Sequence, residues 1–301
     1  MFRRRIVDVY ASEISELLNR SLVGPDFIVR GPGSLKYLRE QTIIYADKLS
    51  EEELQCLTEA KQVLLLIGSI GESRICGCSY IVTPHPRLDF VRVLNEFFVE
   101  RESTLIHPTA KIYDGAKIGR NVSVGVYSII GPDVVLGNNS IVLNHVVING
   151  SVIIGCNCLI KDNATIGSEG FSFEFDETGV PVHFPYLGRI VIGDNVWIGA
   201  NSTFERGEMG DTVIEDSVKI DDLVQIGQGC IIGARTMITA GAVISANSKI
   251  GKDCWIAPNV SVSNQVIIDD NVLVGIGAVV VKNLAANSVY VGNPARFLRR
   301  R

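Results

Sequence analysis

The chain has 301 residues, 47% of them hydrophobic and 20% charged, with a formal net charge of −5 and a pI of about 5.5. A chain of this length is more typical of two domains than of one. Because acidic residues outnumber basic ones, the composition does not favour binding of a polyanion, and we expect no nucleic-acid partner. The longest apolar block near the start, residues 63–67, is far too short to span a bilayer, and no signal-peptide pattern is visible. We therefore expect a cytoplasmic protein without a transmembrane segment.

Residues 1–101 contain no six-residue repeat and are typical of a small α/β domain. Two apolar runs, residues 43–45 and 63–67, suit buried strands. Ser50 and the three glutamates that follow it suit the capped first turn of a helix. A second helix is predicted over residues 88–98, where apolar side chains recur at a helical spacing.

From residue 106 onward an apolar side chain returns at every sixth position. The register holds over residues 106–166, 192–204 and 214–280, and all 26 of its positions are apolar. If residues were drawn at random with the composition of this chain, 26 apolar residues at these positions would occur roughly once in 10⁸ to 10⁹ trials, before correction for the free choice of register. The period is therefore a property of the fold.

Four residues after most of these positions comes a smaller side chain, usually Ala, Ser, Thr, Val or Cys. One large and one small inward residue per six, with turn formers between them, describes a short strand and a corner. Three such hexapeptides would close a triangular coil of about 18 residues with stacked parallel strands. We predict a parallel β-helix over residues 102–284 and a C-terminal tail over residues 285–301.

The cysteines do not indicate disulfides or a metal. Cys158, Cys230 and Cys254 occupy the small-residue positions of the repeat, which favours buried thiols in a reducing compartment. Cys76-Gly77-Cys78 is too closely spaced to form a structural zinc site without a second half. We expect no metal site.

Two stretches break the period and mark the candidate functional region. Residues 168–189 form a long aromatic-rich loop that includes Phe171 and His183, and residues 205–212 form a shorter one. Loops that interrupt a regular scaffold are where function is usually placed. We expect both loops to border the site, with His183 as a candidate pocket residue.

Several segments together resemble the UDP-3-O-acyl-glucosamine N-acyltransferases of lipid A synthesis. They are the hexapeptide series, Gly170-Phe171, residues 187–193, Arg206-Gly207 with Asp211-Thr212, residues 219–226 and, in the first domain, Pro86-Arg87-Leu88. The resemblance covers nearly the whole chain. It implies a left-handed helix, a homotrimer with sites between subunits, and no tightly bound cofactor. The implied reaction is acyl transfer from acyl-CoA or acyl carrier protein to the amine of a nucleotide-linked sugar.

The resemblance places the catalytic positions at Asp221 and Gln228. The family acid is kept as Asp221, but the family's proposed general base, a histidine within Gln-Ile-Ala-His-Asn, is replaced by Gln228. A second family histidine, in the loop facing the donor, falls at Gln265. Glutamine cannot take a proton, so Gln228 is either a hydrogen-bonding pocket residue or a surface turn residue. His145, outside the core register, is an alternative base.

Other positions concern binding. Tyr45 follows its strand where the family stacks an aromatic ring on uracil, although it could equally belong to the core. His85, between two prolines, is either structural or part of the nucleotide side of the cleft. The ending Gly292-Asn293-Pro294-Ala295-Arg296 is similar to that of hexapeptide acetyltransferases that use acetyl-CoA. Asn293 and Arg296 are therefore candidate donor-binding residues, and Phe171, His183 and Gln265 join Tyr45 as candidates for binding substrate.

Three functions remain open from the sequence. An N-acyltransferase accounts for the nearly full-length resemblance. A catalytically impaired sugar-nucleotide-binding relative accounts for glutamine at both histidine positions. A sugar O-acetyltransferase is suggested by the tail alone, although a hydroxyl acceptor needs a base more than an amine does.

Overall fold

The structure, a computed structural model, describes residues 2–69, 77–101 and 105–301. The chain forms two compact units, Met1–Ser103 and Thr104–Arg301, and the boundary predicted from the sequence lies two residues earlier. Cys76, considered above for a metal site, lies outside the described residues.

The first unit is a small α/β domain, as predicted. Its helices are α1 (Ala11–Leu17), α2 (Glu51–Glu59) and α3 (Pro86–Val93), the last continued by a π-helical turn over Leu94–Phe98. Its strands are β1 (Phe2–Arg4), β2 (Val9–Tyr10), β3 (Leu22–Val23), β4 (Ile28–Val29), β5 (Gly31–Pro32), β6 (Thr42–Ala46), β7 (Val63–Ile67), β8 (Ser79–Val82) and β9 (Val99–Arg101). The main sheet has the order β3-β8-β7-β6-β5, with β5 to β8 parallel.

The two predicted strands are β6 and β7, and both faces of the sheet they share are covered. Leu64 packs into one apolar cluster and Leu65 into another, which explains the unbroken apolar run. The predicted cap of α2 is also present: the Ser50 hydroxyl accepts a hydrogen bond from the Glu53 N–H at 3.2 Å, and the Glu53 carboxylate accepts one from the Ser50 N–H at 2.8 Å. The helix predicted over residues 88–98 begins two residues earlier and ends in the π-helical turn.

The second unit is the predicted left-handed parallel β-helix, and its three sheets form three faces of a prism. Face I consists of β10 (Lys111–Ile112), β13 (Ile129–Ile130), β16 (Val147–Ile148), β19 (Thr165–Ser168), β24 (Thr203–Glu205), β27 (Gln225–Ile226), β30 (Val243–Ile244), β33 (Ser261–Val262) and β36 (Val279–Val280). Face II consists of β11 (Lys117–Ile118), β14 (Val134–Leu136), β17 (Val152–Ile154), β22 (Ile190–Ile192), β25 (Thr212–Ile214), β28 (Ile231–Ile232), β31 (Lys249–Ile250) and β34 (Ile267–Ile268).

Face III is the longest sheet and includes the tail. It consists of β12 (Ser123–Val124), β15 (Ile141–Val142), β18 (Leu159–Ile160), β23 (Trp197–Ile198), β26 (Lys219–Ile220), β29 (Met237–Ile238), β32 (Trp255–Ile256), β35 (Leu273–Val274), β37 (Ser288–Val291) and β38 (Arg296–Arg300). β37 pairs in parallel with β35, and β38 folds back antiparallel on β37. The sheet of the solenoid therefore continues past residue 284.

The sixth-position side chains fill the prism, as the period predicts. Ile130, Ile160 and Ile226 are completely buried, whereas Ile106, in the first turn, is 45% exposed. The cysteines of the repeat are buried as predicted. Burial raises the pKa of the Cys158 and Cys230 thiols to about 11, so both remain protonated near neutral pH.

The corners of the prism use residues in the left-handed backbone region. Asn121, Asn139 and Asn157 all have φ between 56° and 59° and follow each other at the coil spacing of 18 residues. Their side-chain amides form a ladder with N···O distances of 3.1 and 3.3 Å. Asparagine tolerates this backbone conformation, which explains its recurrence between the apolar positions.

The two breaks in the period lie on one edge of the prism. Each break begins at the end of a face I strand and ends at the start of a face II strand. The corner that carries Gln228 joins the same two faces on the next coil. We call this edge, over residues 168–189, 205–212 and 227–229, the insertion edge. Loops that are far apart in the sequence therefore stack on each other at the spacing of parallel strands.

Candidate active site

The long insertion carries a chain of aromatic rings on a short hairpin, β20 (Phe173–Phe175) and β21 (Pro181–His183). Phe171 is 87% exposed and meets Phe173 at 4.9 Å between ring centroids. His183 lies 5.5 Å from Phe173 and stacks on Tyr186 at 5.8 Å. The predicted site residues Phe171 and His183 thus belong to one aromatic surface.

A charged cluster joins the two insertions. The Arg206 guanidinium bonds to one Glu169 carboxylate oxygen, and the His183 Nε2 lies 3.3 Å from the other. At the base of the insertions, the Arg189 guanidinium forms two bonds to Asp211, at 3.1 and 2.7 Å. This contact holds the pKa of the Asp211 carboxyl below its ordinary value.

Gln228 lies beneath the long insertion and is buried, so it is not a surface turn residue. Its backbone N–H donates to the Glu205 carboxylate at 3.3 Å. A Cβ added to Gly170 would lie 2.6 Å from the Gln228 side-chain oxygen and 2.9 Å from a Glu205 oxygen. The backbone of Gly170 therefore covers both side chains, and only glycine fits there without displacing them.

Glu205 was not among the residues singled out from the sequence. It is the last residue of β24, and its second carboxylate oxygen accepts a hydrogen bond from the Gln225 side-chain amide at 3.2 Å. Burial raises the pKa of the Glu205 carboxyl, and the hydrogen bonds from Gln225 and Gln228 only partly oppose that shift. The signal that could have identified it is its place at the start of the second insertion.

Tyr186 completes the insertion edge. Its side chain is 3% exposed, and its hydroxyl, near Ser172, has no hydrogen-bond partner of good geometry among the described residues. Burial and the nearby carboxylates of Glu208 and Glu205 raise the pKa of this hydroxyl, so it stays protonated at neutral pH.

The structure does not bring all the predicted catalytic residues together within one chain. Asp221 is exposed at the corner between faces III and I, one corner before Gln228. His145 lies on the same edge as Asp221, where its ring packs 5.5 Å from that of Tyr127. An alternative base at His145 therefore does not lie on the insertion edge of its own chain.

The predicted donor-side residues lie further along the prism. Gln265 is exposed on the insertion edge two coils beyond Gln228, as the hydrogen bonds from Asn247 to Gln228 and from Gln265 to Ala246 show. Asn293 and Arg296 are exposed in the tail, whose Ala295 N–H donates to Val279 at 2.8 Å. The strand of Val279 is the third after that of Gln225 on face I, about 14 Å away at the usual strand spacing.

The first unit contains a separate pocket of about 450 Å³. It is lined by Asp47, Pro84, His85, Arg87, Leu88 and Val91. Arg87 lies in the first turn of α3, where free N–H groups and a cation favour an anion. Tyr45, two residues before Asp47, is 36% exposed and packs 4.9 Å from Phe90, so it is not a core residue.

The described ranges contain neither a metal-binding cluster nor a membrane-spanning helix. In this part of the chain, no group of three His, Cys, Asp or Glu side chains is placed to hold a metal ion. Over the same residues, no helix is both long and apolar enough to cross a membrane.

Three family profiles match the second unit. They are described as the GMPPB C-terminal domain over residues 100–173, the hexapeptide repeat of succinyl-transferase over residues 189–220, and the bacterial transferase hexapeptide (six repeats) over residues 211–246. LpxA from Acinetobacter baumannii shares the fold with a TM-score of 0.59 and 26% identity, covering 64% of this chain and 73% of that one. The fold and its repeat therefore define a hexapeptide-repeat protein.

Curated relatives assign the chain to one family of hexapeptide-repeat proteins. A UDP-3-O-acylglucosamine N-acyltransferase from Delftia acidovorans is 34% identical over 299 residues, 95% of this chain and 86% of that protein. One from Coxiella burnetii is 38% identical over 200 residues, 60% of this chain and 58% of that protein. With the latter, the match thus spans little more than half the length of the relative. The chain belongs to the UDP-3-O-acylglucosamine N-acyltransferase family, which confirms the resemblance.

Proposed function

We propose that the protein is an N-acyltransferase that moves an acyl group from acyl-CoA or acyl carrier protein to the amine of a nucleotide-linked amino sugar, in lipid A or surface-polysaccharide synthesis. The observation that carries this proposal is the family relationship over 95% of the chain. The insertion edge supports it, because polar and aromatic side chains from three successive coils converge there.

The chemistry requires an amine held against a thioester carbonyl, a proton acceptor and donors for the oxyanion. The insertion edge offers the Gln228 side chain as a hydrogen-bonding group. The aromatic rings of Phe171 and Phe173 provide an apolar surface for an acyl or pantetheine chain. Gln228 takes the place that the family's base histidine would occupy, so its role is to orient rather than to accept a proton.

The pocket of the first unit suits the nucleotide part of the acceptor. Arg87 and the start of α3 favour the diphosphate, and the exposed Tyr45 ring is available to stack on a base. Donor binding by Asn293 and Arg296, and a role for Gln265 near the donor, remain predictions. The thioester is a substrate in this scheme, and no tightly bound cofactor is required.

We also propose that the active form is a homotrimer with sites between subunits. Its support is a stripe of neighbouring apolar side chains on the outer surface of face II: Val135, Ile153, Val191, Val213 and Ile231. Lys117 lies at one end of the stripe and Lys249 at the other. Asp221, which lies on another edge, would contribute to catalysis only across a subunit boundary.

A second candidate is a sugar-nucleotide-binding relative that has lost catalysis. Glutamine at positions 228 and 265 favours this function, since neither residue can accept a proton. Measurements of nucleotide-sugar binding and of acyl transfer distinguish the two candidate functions.

The test uses purified full-length protein with a panel of UDP- and dTDP-linked amino sugars and with short- and long-chain thioesters. Release of free thiol that depends on the amino sugar supports the acyltransferase. Saturable binding of the nucleotide sugar without thiol release supports the impaired relative. Absence of both would reject the two functions.

A further inference from the structure

Glu205, on the insertion edge, forms no ion pair among the described residues, whereas two neighbouring carboxylates do. Arg206, the residue after Glu205, bonds to Glu169, and Arg189 bonds to Asp211. Among the described residues, the hydrogen-bond donors to the Glu205 carboxylate are the neutral Gln225 amide and the Gln228 N–H. The charge of Glu205 is therefore not committed to a neighbouring cation.

The position of Glu205 is fixed from three sides. β24 holds its backbone, Gln225 lies on the next strand of face I, and Gly170 approaches from the long insertion. Its side chain is only partly buried, and it lies beside the Gln228 side chain, the position at which, by the family resemblance, the base would stand.

Other titratable groups near Glu205 are less suited to accept a proton. The Cys230 thiol is buried, with a pKa raised to about 11. His183 lies on the hairpin and pairs with Glu169, which also binds Arg206. Tyr186 and Cys230 both interact with Glu205 and are neutral near pH 7, and Tyr186 also interacts with Glu169 and Glu208.

We propose that the Glu205 carboxylate accepts the proton of the attacking amine, in place of the missing histidine. This inference rests on the proposed acyl transfer. The amine nitrogen forms a bond to the thioester carbonyl carbon as its proton passes to Glu205. The tetrahedral intermediate then collapses, the carbon–sulfur bond breaks, and Glu205 returns the proton to the leaving thiolate.

Two properties of the site make this step chemically reasonable. A carboxylate whose pKa is raised by burial is a stronger base than an ordinary surface glutamate. The Gln228 side-chain amide beside it provides a hydrogen-bond donor for the oxyanion that forms at the same moment.

The experiment measures kcat and KM against pH for the wild type, Glu205→Gln, Glu205→Asp and His183→Gln, with the acceptor and thioester that the wild type uses. Glu177→Gln, in the exposed turn of the hairpin, is the matched control. We expect Glu205→Gln to lower kcat by about 10²-fold or more with little change in KM, and to remove the acidic limb of the pH profile. Glu205→Asp should recover part of kcat and keep that limb.

A kcat for Glu205→Gln within threefold of the wild type, with the acidic limb intact, would overturn the inference while leaving acyl transfer standing. Loss of the acidic limb in His183→Gln alone would assign the proton to that histidine instead. If the wild type itself releases no thiol with any acceptor, the proposed function fails, and the role of Glu205 fails with it.

Discussion

The Gln228 backbone N–H donates a hydrogen bond to the carboxylate of Glu205 at 3.3 Å, although 23 residues separate them. The contact arises because the two residues lie on successive coils of the prism. It places a carboxylate beside the glutamine that, by the family resemblance, corresponds to the base histidine. The proposed base, Glu205, therefore comes from the coil next to the one that carries Gln228.

Gly170→Ala should abolish most activity while leaving the fold intact. The added Cβ would lie 2.6 Å from the Gln228 oxygen and 2.9 Å from Glu205, so the loop or both side chains must shift. Displacement of about 1 Å at a reacting group costs about 10²-fold in rate. The matched control is Gly210→Ala in the second insertion, where a Cβ meets nothing within 4 Å. Steady-state kinetics and circular dichroism check both variants, and equal activities would count against the assigned site.

Glu205→Gln should make the protein more stable at pH 7 and leave its stability nearly unchanged near pH 4. Because the folded-state pKa of Glu205 is raised, its contribution to stability is present below the unfolded pKa and is lost as the pH rises through the folded value. Glutamine removes that loss. Thermal unfolding at several pH values measures the effect, and a lower Tm for the variant at pH 7 would show that Glu205 is mainly structural.

Asp211→Asn should loosen the two insertions at a small cost in stability. The Arg189–Asp211 pair joins their bases but is partly exposed, so we expect a loss of at most about 1 kcal/mol. Since the folded pKa of Asp211 is lowered, the contribution exists above its unfolded pKa and is lost as the pH falls through the folded value. Hydrogen exchange over residues 168–189 should rise in the variant, and unchanged protection would contradict this role.

Val213→Arg should disrupt the assembly. Val213 lies in the apolar stripe of face II between Val191 and Ile231, and a buried unpaired charge there would oppose association. Ser261→Arg, on the exposed side of face I, is the control. Light scattering should give three times 32.7 kDa for the wild type and the control and a smaller mass for Val213→Arg. A wild type of single-chain mass would contradict the trimer.

The architecture was predictable because one rule repeats along the chain. A period of six with an apolar inward residue specifies the coil, and Ile130 and Ile226 are buried as that rule requires. The first turn departs from it, since Ile106 is exposed. The rule holds for coils that are stacked between other coils, and it is least reliable in the first coil of the prism.

The site was less predictable from the sequence. Comparison with a family assigns a role only to positions that match a family residue whose role is known. It pointed to Gln228 and Asp221, which lie on different edges of one chain. Glu205 and Tyr186 emerge only when the coils are stacked and the two insertions are seen to share an edge. The contacts of Tyr186 depend on a loop conformation that no periodic pattern specifies.

We expect this protein to acylate an amine. The most direct measurement is mass spectrometry of the product from two matched nucleotide sugars that differ only in carrying an amino or a hydroxyl group at the acceptor carbon. We predict that the amino sugar gains one acyl group through an amide bond and that the hydroxyl sugar remains unmodified. Acylation of the hydroxyl sugar, or of neither compound, would contradict the account.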